Sequence, residues 1–294
     1  MKKSIKITFI IAFLSLMLYQ PENVQAQEQT GELLWQVETK DGNVYYGKIL
    51  SQSQEILRLE TENLGILNIP VENIRSVREL NENEVKAGDI WPENAQATRY
   101  FFAPNGYGLR KGESYYQNVW IFFNQVSVGV SDNFSLGLGM VPLFLFAGAP
   151  TPVWITPKFS VPVKKDKLNV GAGALIGTVI GEGSTGFGLA YGVITVGDRN
   201  KNLNVGIGYG FADGEWADIP LINLGGMLRL SPKGYLLTEN YFVVVDGSAF
   251  GTLSLGGRTV WNRFSLDYGG FIPFNAGDRL TIIPWLGFVV PLGK

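Results

Sequence analysis

Large apolar side chains occupy every second position in several stretches of the second half of the chain. Residues 202–216 read NLNVGIGYGFADGEW, and the same alternation with small residues recurs in FSLGLGM (134–140) and FGLAYGV (187–193). A period of two is typical of β-strands with one apolar face. Because glycine weakens a strand, its repetition on one face needs a reason, and the lumen of a narrow barrel supplies one. We therefore expect the large side chains to face outward and the glycines inward.

The turns between these strands form two alternating sets. The first set is short and defines what we call the short-turn rim: SDN (131–133), KKDK (164–167), DRNK (198–201), SPKG (231–234) and Asn262-Arg263. The second set defines the long-loop rim: AGAPT (147–151), GEGS (181–184), ADGEWAD (212–218), DGSAFG (246–251) and NAGD (275–278). Strict alternation is expected of antiparallel strands that cross a membrane. Counting from Thr98 gives twelve strands, or ten if the hairpin around PNGYGLRKG lies outside the wall.

Residues 33–80 have a different pattern, with short strands separated by turns at Asp41-Gly42 and Asn63-Leu64-Gly65. The run DGNVYYGKI, then ILRLET, then GILNIPVENIRSV resembles the Sm-like and SH3-like small barrels. This resemblance implies a five-stranded barrel. The RNA-binding loop motif of Sm proteins has no match here, so we expect residues 33–80 to be an interaction or spacer module that contacts a periplasmic or envelope protein.

The start of the chain has the pattern of a secretory signal. Lys2, Lys3 and Lys6 precede the apolar run ITFIIAFLSLML, and Val24-Gln25-Ala26 fits a cleavage site. The run is shorter than the roughly 20 residues that a membrane-spanning helix needs. We therefore expect residues 1–26 to be a signal peptide and the mature chain to begin at Gln27. The domains that follow are the small module (27–80), a linker (81–97) and the large barrel (98–294).

The composition of the chain limits the kinds of functional site that it can form. Among 294 residues there are no histidines and no cysteines, and the net charge is -2. The commonest general base and the thiolate metal ligands are therefore missing, and no clustered basic surface points to nucleic acid. GAGALIG (171–177) resembles a nucleotide-binding loop, but no helical periodicity follows it. We expect no catalytic residue, no metal and no cofactor.

The whole layout resembles a bacterial outer-membrane β-barrel of the kind common in the Bacteroidota, and the resemblance covers residues 98–294. It implies an all-β protein with an antiparallel transmembrane barrel surrounded by outer-membrane lipid, and with the small module in the periplasm. The expected function is non-catalytic, either structural or in handling small solutes. Two alternatives remain: an outer-membrane hydrolase acting on lipid or glycan through the rim carboxylates, and a secreted soluble β-protein. Those carboxylates are Glu182, Asp213, Glu215 and Asp218.

Charged side chains inside the barrel are the remaining candidates for a site. With Asn262-Arg263 as a two-residue hairpin loop, Arg258 lies directly opposite Asp267, and both point into the lumen. We favour a structural ion pair over a ligand contact, because charges facing a narrow lumen need partners to be tolerated. Lys158, Arg229 and Thr156 are expected to share that interior. By the same alternation Glu239 is expected to face outward with Leu237 and Tyr241.

Overall fold

The computed structural model describes residues 34–80, 85–86, 89–181, 186–261, 263–275 and 281–293. It divides into two compact units, one ending at Trp91 and the other beginning at Pro92. The predicted signal peptide and the start at Gln27 lie outside the described residues, as do Glu182 and Asn262. No helix within the described ranges is long and apolar enough to cross a bilayer.

The smaller unit contains the predicted set of five short strands. These strands are β1 (Trp35–Thr39), β2 (Val44–Gln52), β3 (Ile56–Thr61), β4 (Gly65–Pro70) and β5 (Ile74–Glu79), followed by the short pair β6 (Val85–Lys86) and β7 (Asp89–Ile90). The first five form one antiparallel sheet in the order β4-β3-β2-β1-β5, with a 3₁₀ turn at Val71–Asn73 between β4 and β5. Alternate apolar residues from β1, β3 and β4 meet in a core of Val37, Leu57, Leu59 and Ile69.

The larger unit is a closed antiparallel barrel of twelve strands, in which the last strand β20 (Ile283–Gly293) pairs with the first strand β8 (Ser114–Val119) to complete the wall. This confirms the predicted all-β fold. A short helix α1 (Pro142–Phe146) and the two-residue strand β15 (Glu215–Trp216) lie in loops. The wall strands are β8 (Ser114–Val119), β9 (Phe123–Gly129), β10 (Phe134–Met140), β11 (Thr151–Lys164), β12 (Leu168–Ile180), β13 (Gly186–Gly197), β14 (Lys201–Ala212), β16 (Leu221–Arg229), β17 (Gly234–Val245), β18 (Ser248–Val260), β19 (Ser265–Phe274) and β20 (Ile283–Gly293).

The wall starts later than the sequence count assumed. It begins at Ser114, and the residues from Thr98 onward that were counted as its first strand are not part of it. Twelve strands are still present because the chain reverses at Trp120 and Ile121, both at positive φ (51° and 68°). Asn118 fixes this reversal: its side chain donates to the Ile121 carbonyl and accepts from the Ile121 amide, each at 3.1 Å.

The two sets of turns lie at opposite ends of the strands, as the antiparallel pairing requires. KKDK joins β11 to β12, and ADGEWAD joins β14 to β16 at the other end. The start of β8 and the end of β20 therefore both lie at the short-turn rim. Entry to and exit from the barrel occur on the same side.

The predicted inward and outward faces are right for some strands and wrong for others. In β14 Val205 is exposed outside while Asn204 is buried inside, and in β10 Leu138 is exposed while Ser135 is buried. In β13 the order is reversed: Val193 and Thr195 are buried while Ile194 is exposed. β17 is reversed as well, so that Leu237, Glu239 and Tyr241 face inward. The expectation that Glu239 faces lipid was therefore wrong.

Candidate functional site

A stretch of chain without regular structure fills part of the lumen. We call residues 94–109 the inner segment; most of their side chains are buried, although they precede the first wall strand. Irregular backbone exposes N–H and C=O groups that are costly to bury without partners. The barrel wall supplies those partners, and several of them are charged side chains.

Arg258 and Asp267 form the centre of this arrangement. They are paired across β18 and β19, with Arg258 Nε and Nη2 donating to the two carboxylate oxygens of Asp267 at 2.6 and 2.9 Å. Arg258 also donates to the backbone carbonyls of Gln96 (2.9 Å) and Tyr100 (2.6 Å) in the inner segment. Arg99 places a second guanidinium 3.9 Å from Asp267. The pair thus joins the wall to the inner segment.

Glu239 holds the inner segment from another side. One oxygen of its fully buried carboxylate accepts from the amides of Phe102 and Ala103, both at 2.8 Å. The other oxygen accepts from the Tyr241 hydroxyl at 2.7 Å. A carboxylate that accepts two backbone amides fixes the direction of the chain at that point.

Lys158 acts on the carbonyl groups of the same segment. Its ammonium group donates to the carbonyl oxygens of Thr98 (3.1 Å) and Tyr107. Nearby, the Thr195 hydroxyl accepts from the Gly106 amide at 2.7 Å. Lys158 is therefore in the interior, as expected from its place in β11.

Glycines of the inner wall make room for the aromatic side chains of the inner segment. A Cβ added at Gly225 would lie 2.3 Å from the Tyr100 ring, and one at Gly256 would lie 2.9 Å from the Phe101 ring. Tyr100 also donates to Asn202 at 2.6 Å. A Cβ at Gly269 would lie 3.2 Å from the Phe101 ring, so Phe101 occupies the space beside the Arg258–Asp267 pair.

At the short-turn rim, other groups fix the ends of the inner segment. Arg229 donates to the carbonyl of Pro92 at 2.8 Å, and Arg199 donates to the carbonyl of Gly108 at 2.8 Å. Arg229 thus lies at the rim, beside the entry of the chain, and not deep in the interior. Tyr107 donates to the carbonyl of Gly197, and burial raises the pKa of this hydroxyl to about 12, so it remains a donor at neutral pH.

Beside the inner segment, along the wall from β8 to β16, lies a cavity of about 450 Å³. Its wall from β8 to β11 is largely polar, with Gln117, Gln125, Ser127, Ser135, Thr156 and Lys158. Thr156, one of the predicted lumen residues, accepts from Gln125 there at 3.3 Å. The facing wall, from β12 to β16, is largely apolar, with Leu175, Leu189, Val193 and Leu221, and Phe102 of the inner segment also borders the cavity. The cavity has the size and mixed lining of a small-molecule site.

Three of the four rim carboxylates lie within the described residues. Asp213, Glu215 and Asp218 are exposed in the loop between β14 and β16, and none of them borders the cavity. Among the described residues, no group of three or more His, Cys, Asp or Glu is placed to hold a metal ion.

The sequence pattern did not reveal the inner segment, so it placed Arg258 and Lys158 in the lumen without showing that they bind this segment. Gln96, Tyr100 and Phe101 are fully buried, yet the stretch QATRYFFAPNGYGL shows no period of two. That lack of alternation, in a stretch rich in aromatic residues, was the available signal that it does not belong to the wall.

Comparison of the chain with models of protein families, with curated proteins and with solved structures found no match.

Proposed function

We propose that this chain is a non-catalytic outer-membrane β-barrel whose lumen is closed by its own inner segment. Residues 1–26 direct its export. The small unit lies in the periplasm and contacts another envelope component. The order of its five strands and the 3₁₀ turn before the last one support an Sm- or SH3-like module.

The outer surface of the barrel is the observation that carries this proposal. Large apolar side chains are exposed on outward positions of strand after strand, among them Leu138, Phe159, Ile194, Val205 and Leu286. Contiguous apolar surface of this extent is unusual on soluble monomers, and a closed barrel leaves no unpaired strand edge in lipid.

The charged contacts of the lumen support a closed barrel over an open pore. Arg258, Glu239 and Lys158 each bind backbone groups of the inner segment. These charges therefore hold the inner segment inside the lumen.

A matched pair of substitutions tests the membrane location. Leu138, near the middle of β10, is 65% exposed, and Leu64, in a turn of the small unit, is 63% exposed. We expect Leu138→Lys to reduce the heat-modifiable, membrane-inserted protein, because a Lys facing lipid near the midplane costs about 2–4 kcal/mol. Leu64→Lys should leave it unchanged. Recovery of the wild-type chain in the soluble periplasmic fraction would contradict the proposal.

Conductance across a planar bilayer tests whether the lumen is closed. Purified protein in a planar bilayer should show no stable open channel, because the inner segment occupies the lumen at the short-turn side. A steady conductance in the wild-type protein would favour a solute-conducting pore.

A further inference from the structure

We propose that the lumenal cavity binds a single-chain amphiphile with a carboxylate headgroup, oriented with that headgroup at Lys158 and its apolar chain along Leu175, Leu189 and Leu221. This inference deepens the proposed function by naming a ligand class for a closed barrel.

The charge balance of the interior points to an anion. Five charged residues are nearly or fully buried among those described: Arg99, Lys158, Glu239, Arg258 and Asp267. Three are cations and two are carboxylates. Asp267 is bound by Arg258 and lies near Arg99, and Glu239 is bound by backbone amides and the Tyr241 hydroxyl. Within the described part of the chain, Lys158 forms no ion pair.

The Lys158 ammonium group can also donate one more hydrogen bond than it forms with the described residues. A lysine ammonium carries three N–H groups, and two of them are directed to the carbonyls of Thr98 and Tyr107. Lys158 borders the cavity, and none of the described residues that line this cavity is an Asp or a Glu. A ligand carboxylate would supply the missing counter-charge and accept the remaining hydrogen bond.

The opposite wall points to an apolar chain. Barrel lumens in outer membranes are ordinarily polar. In this barrel the large side chains of β13, Leu189, Tyr191 and Val193, point into the lumen. The small residues Gly188, Ala190 and Gly192 lie on the outer face of the strand. Phe102 remains 45% exposed although its neighbours Phe101 and Ala103 are buried. These side chains leave apolar surface open within the lumen, which an alkyl chain would cover.

The probe is decanoate labelled with ¹³C at its carboxyl carbon, titrated onto the full-length mature protein in lipid nanodiscs, with empty nanodiscs subtracted. We expect a saturable, shifted ¹³C signal at one equivalent. Decan-1-ol and decyltrimethylammonium test the headgroup, and each should compete at least about tenfold more weakly, as expected for loss of a charge-assisted hydrogen bond.

Two variants locate the site. Lys158→Met keeps most of the stem and removes the charge, and it should weaken decanoate binding about tenfold or more. Lys165→Met, at an exposed position of the KKDK turn, is the matched control and should bind like wild type. Leu189→Trp fills the cavity from the apolar wall, leaves Lys158 in place, and should abolish binding even if Lys158→Met fails to fold.

Equal binding of decanoate and decan-1-ol would overturn the proposal, as would wild-type affinity in folded Lys158→Met or in Leu189→Trp, or binding of decanoate without saturation. Membrane fractionation and conductance report on location and closure without any ligand, so failure of this inference is distinguishable from failure of the proposed function.

Discussion

Along β17 to β20, which we call the filled half of the lumen, the inner segment packs directly against the wall, whereas along β8 to β16, the open half, a cavity remains beside it. In the filled half, charged side chains of the wall bind backbone groups: Arg258 binds carbonyls and Glu239 binds amides. In the open half, Lys158 also binds backbone carbonyls, those of Thr98 and Tyr107, but it borders the cavity and faces a largely apolar wall. The difference teaches that the inner segment encloses the charges of the filled half completely, whereas it leaves one side of Lys158 open to the cavity.

Breaking the central ion pair should have the largest effect on the filled half. Arg258→Ala leaves Asp267 buried and removes two donors to the inner segment, so we expect a loss of about 3–5 kcal/mol in the free energy of unfolding. The double change with Asp267→Ala should cost less than the sum of the single changes. Unfolding from detergent micelles in a double-mutant cycle measures the coupling.

The control for this cycle is Arg263→Ala, which removes an exposed arginine near the same hairpin and should change stability by less than about 0.5 kcal/mol. Additive single effects would show that the two groups do not act as a pair.

Glu239→Ala should have the next largest effect. It leaves the buried amides of Phe102 and Ala103 without an acceptor, at about 1–3 kcal/mol for each group. Glu239→Gln retains an acceptor oxygen and should lose less stability than Glu239→Ala. Thermal unfolding of both variants, with exposed Glu215→Gln as control, separates the role of the acceptor from that of the charge. Equal losses of thermal stability in Glu239→Ala and Glu239→Gln would contradict a role of Glu239 as hydrogen-bond acceptor for the inner segment.

Replacing a glycine on the lumen face of the wall by alanine should reduce stability by a smaller amount. Gly225→Ala brings a Cβ to within 2.3 Å of the Tyr100 ring, and overpacking of this kind costs about 1–3 kcal/mol. Gly192→Ala is the matched control, since a Cβ there has nothing within 4 Å and should be neutral or slightly stabilising. In the Tyr100→Ala background, Gly225→Ala should cost much less than it does in the wild-type protein. Denaturant midpoints of the three single variants and of the Gly225→Ala/Tyr100→Ala double variant check this, and equal destabilisation by the two glycine changes would refute it.

The sequence was sufficient for those features that depend on neighbouring residues. A two-residue loop predicted at Asn262-Arg263 sets the pairing of the strands on either side, so counting outward from it placed Arg258 opposite Asp267, the register that the structure has. The alternation of turns likewise follows from consecutive antiparallel strands, and it assigned the turns to the correct rims.

The features that the sequence did not predict depend on distant parts of the chain. Alternation shows that β13 and β17 have two different faces, but which face points inward depends on what fills the lumen. Tyr100 and Phe101 fill it, and they precede β17 by more than a hundred residues. The backbone partners of Glu239 come from the same segment, so its inward position could not be inferred from β17 alone. The turn at Trp120 was missed because neither Trp120 nor Ile121 is a typical turn residue, and Asn118 supplies the contacts that hold it.

The two rims should differ in their accessibility to an antibody added outside the cell. Inserting an epitope at either rim should change stability little. Both wall ends lie at the short-turn rim, beside the residues that connect to the small unit, so a periplasmic small unit places the long-loop rim at the cell surface. Asp213-Gly214 and Asp166-Lys167 are exposed positions in turns on opposite rims, which makes them a matched pair for insertion of a short epitope. On intact cells, antibody should label the insertion at Asp213-Gly214 and not the one at Asp166-Lys167, while both should be labelled after the outer membrane is permeabilised. The ends of the inner segment, which Arg229 and Arg199 hold at the short-turn rim, would then lie on the periplasmic side. The reverse labelling pattern would invert this orientation.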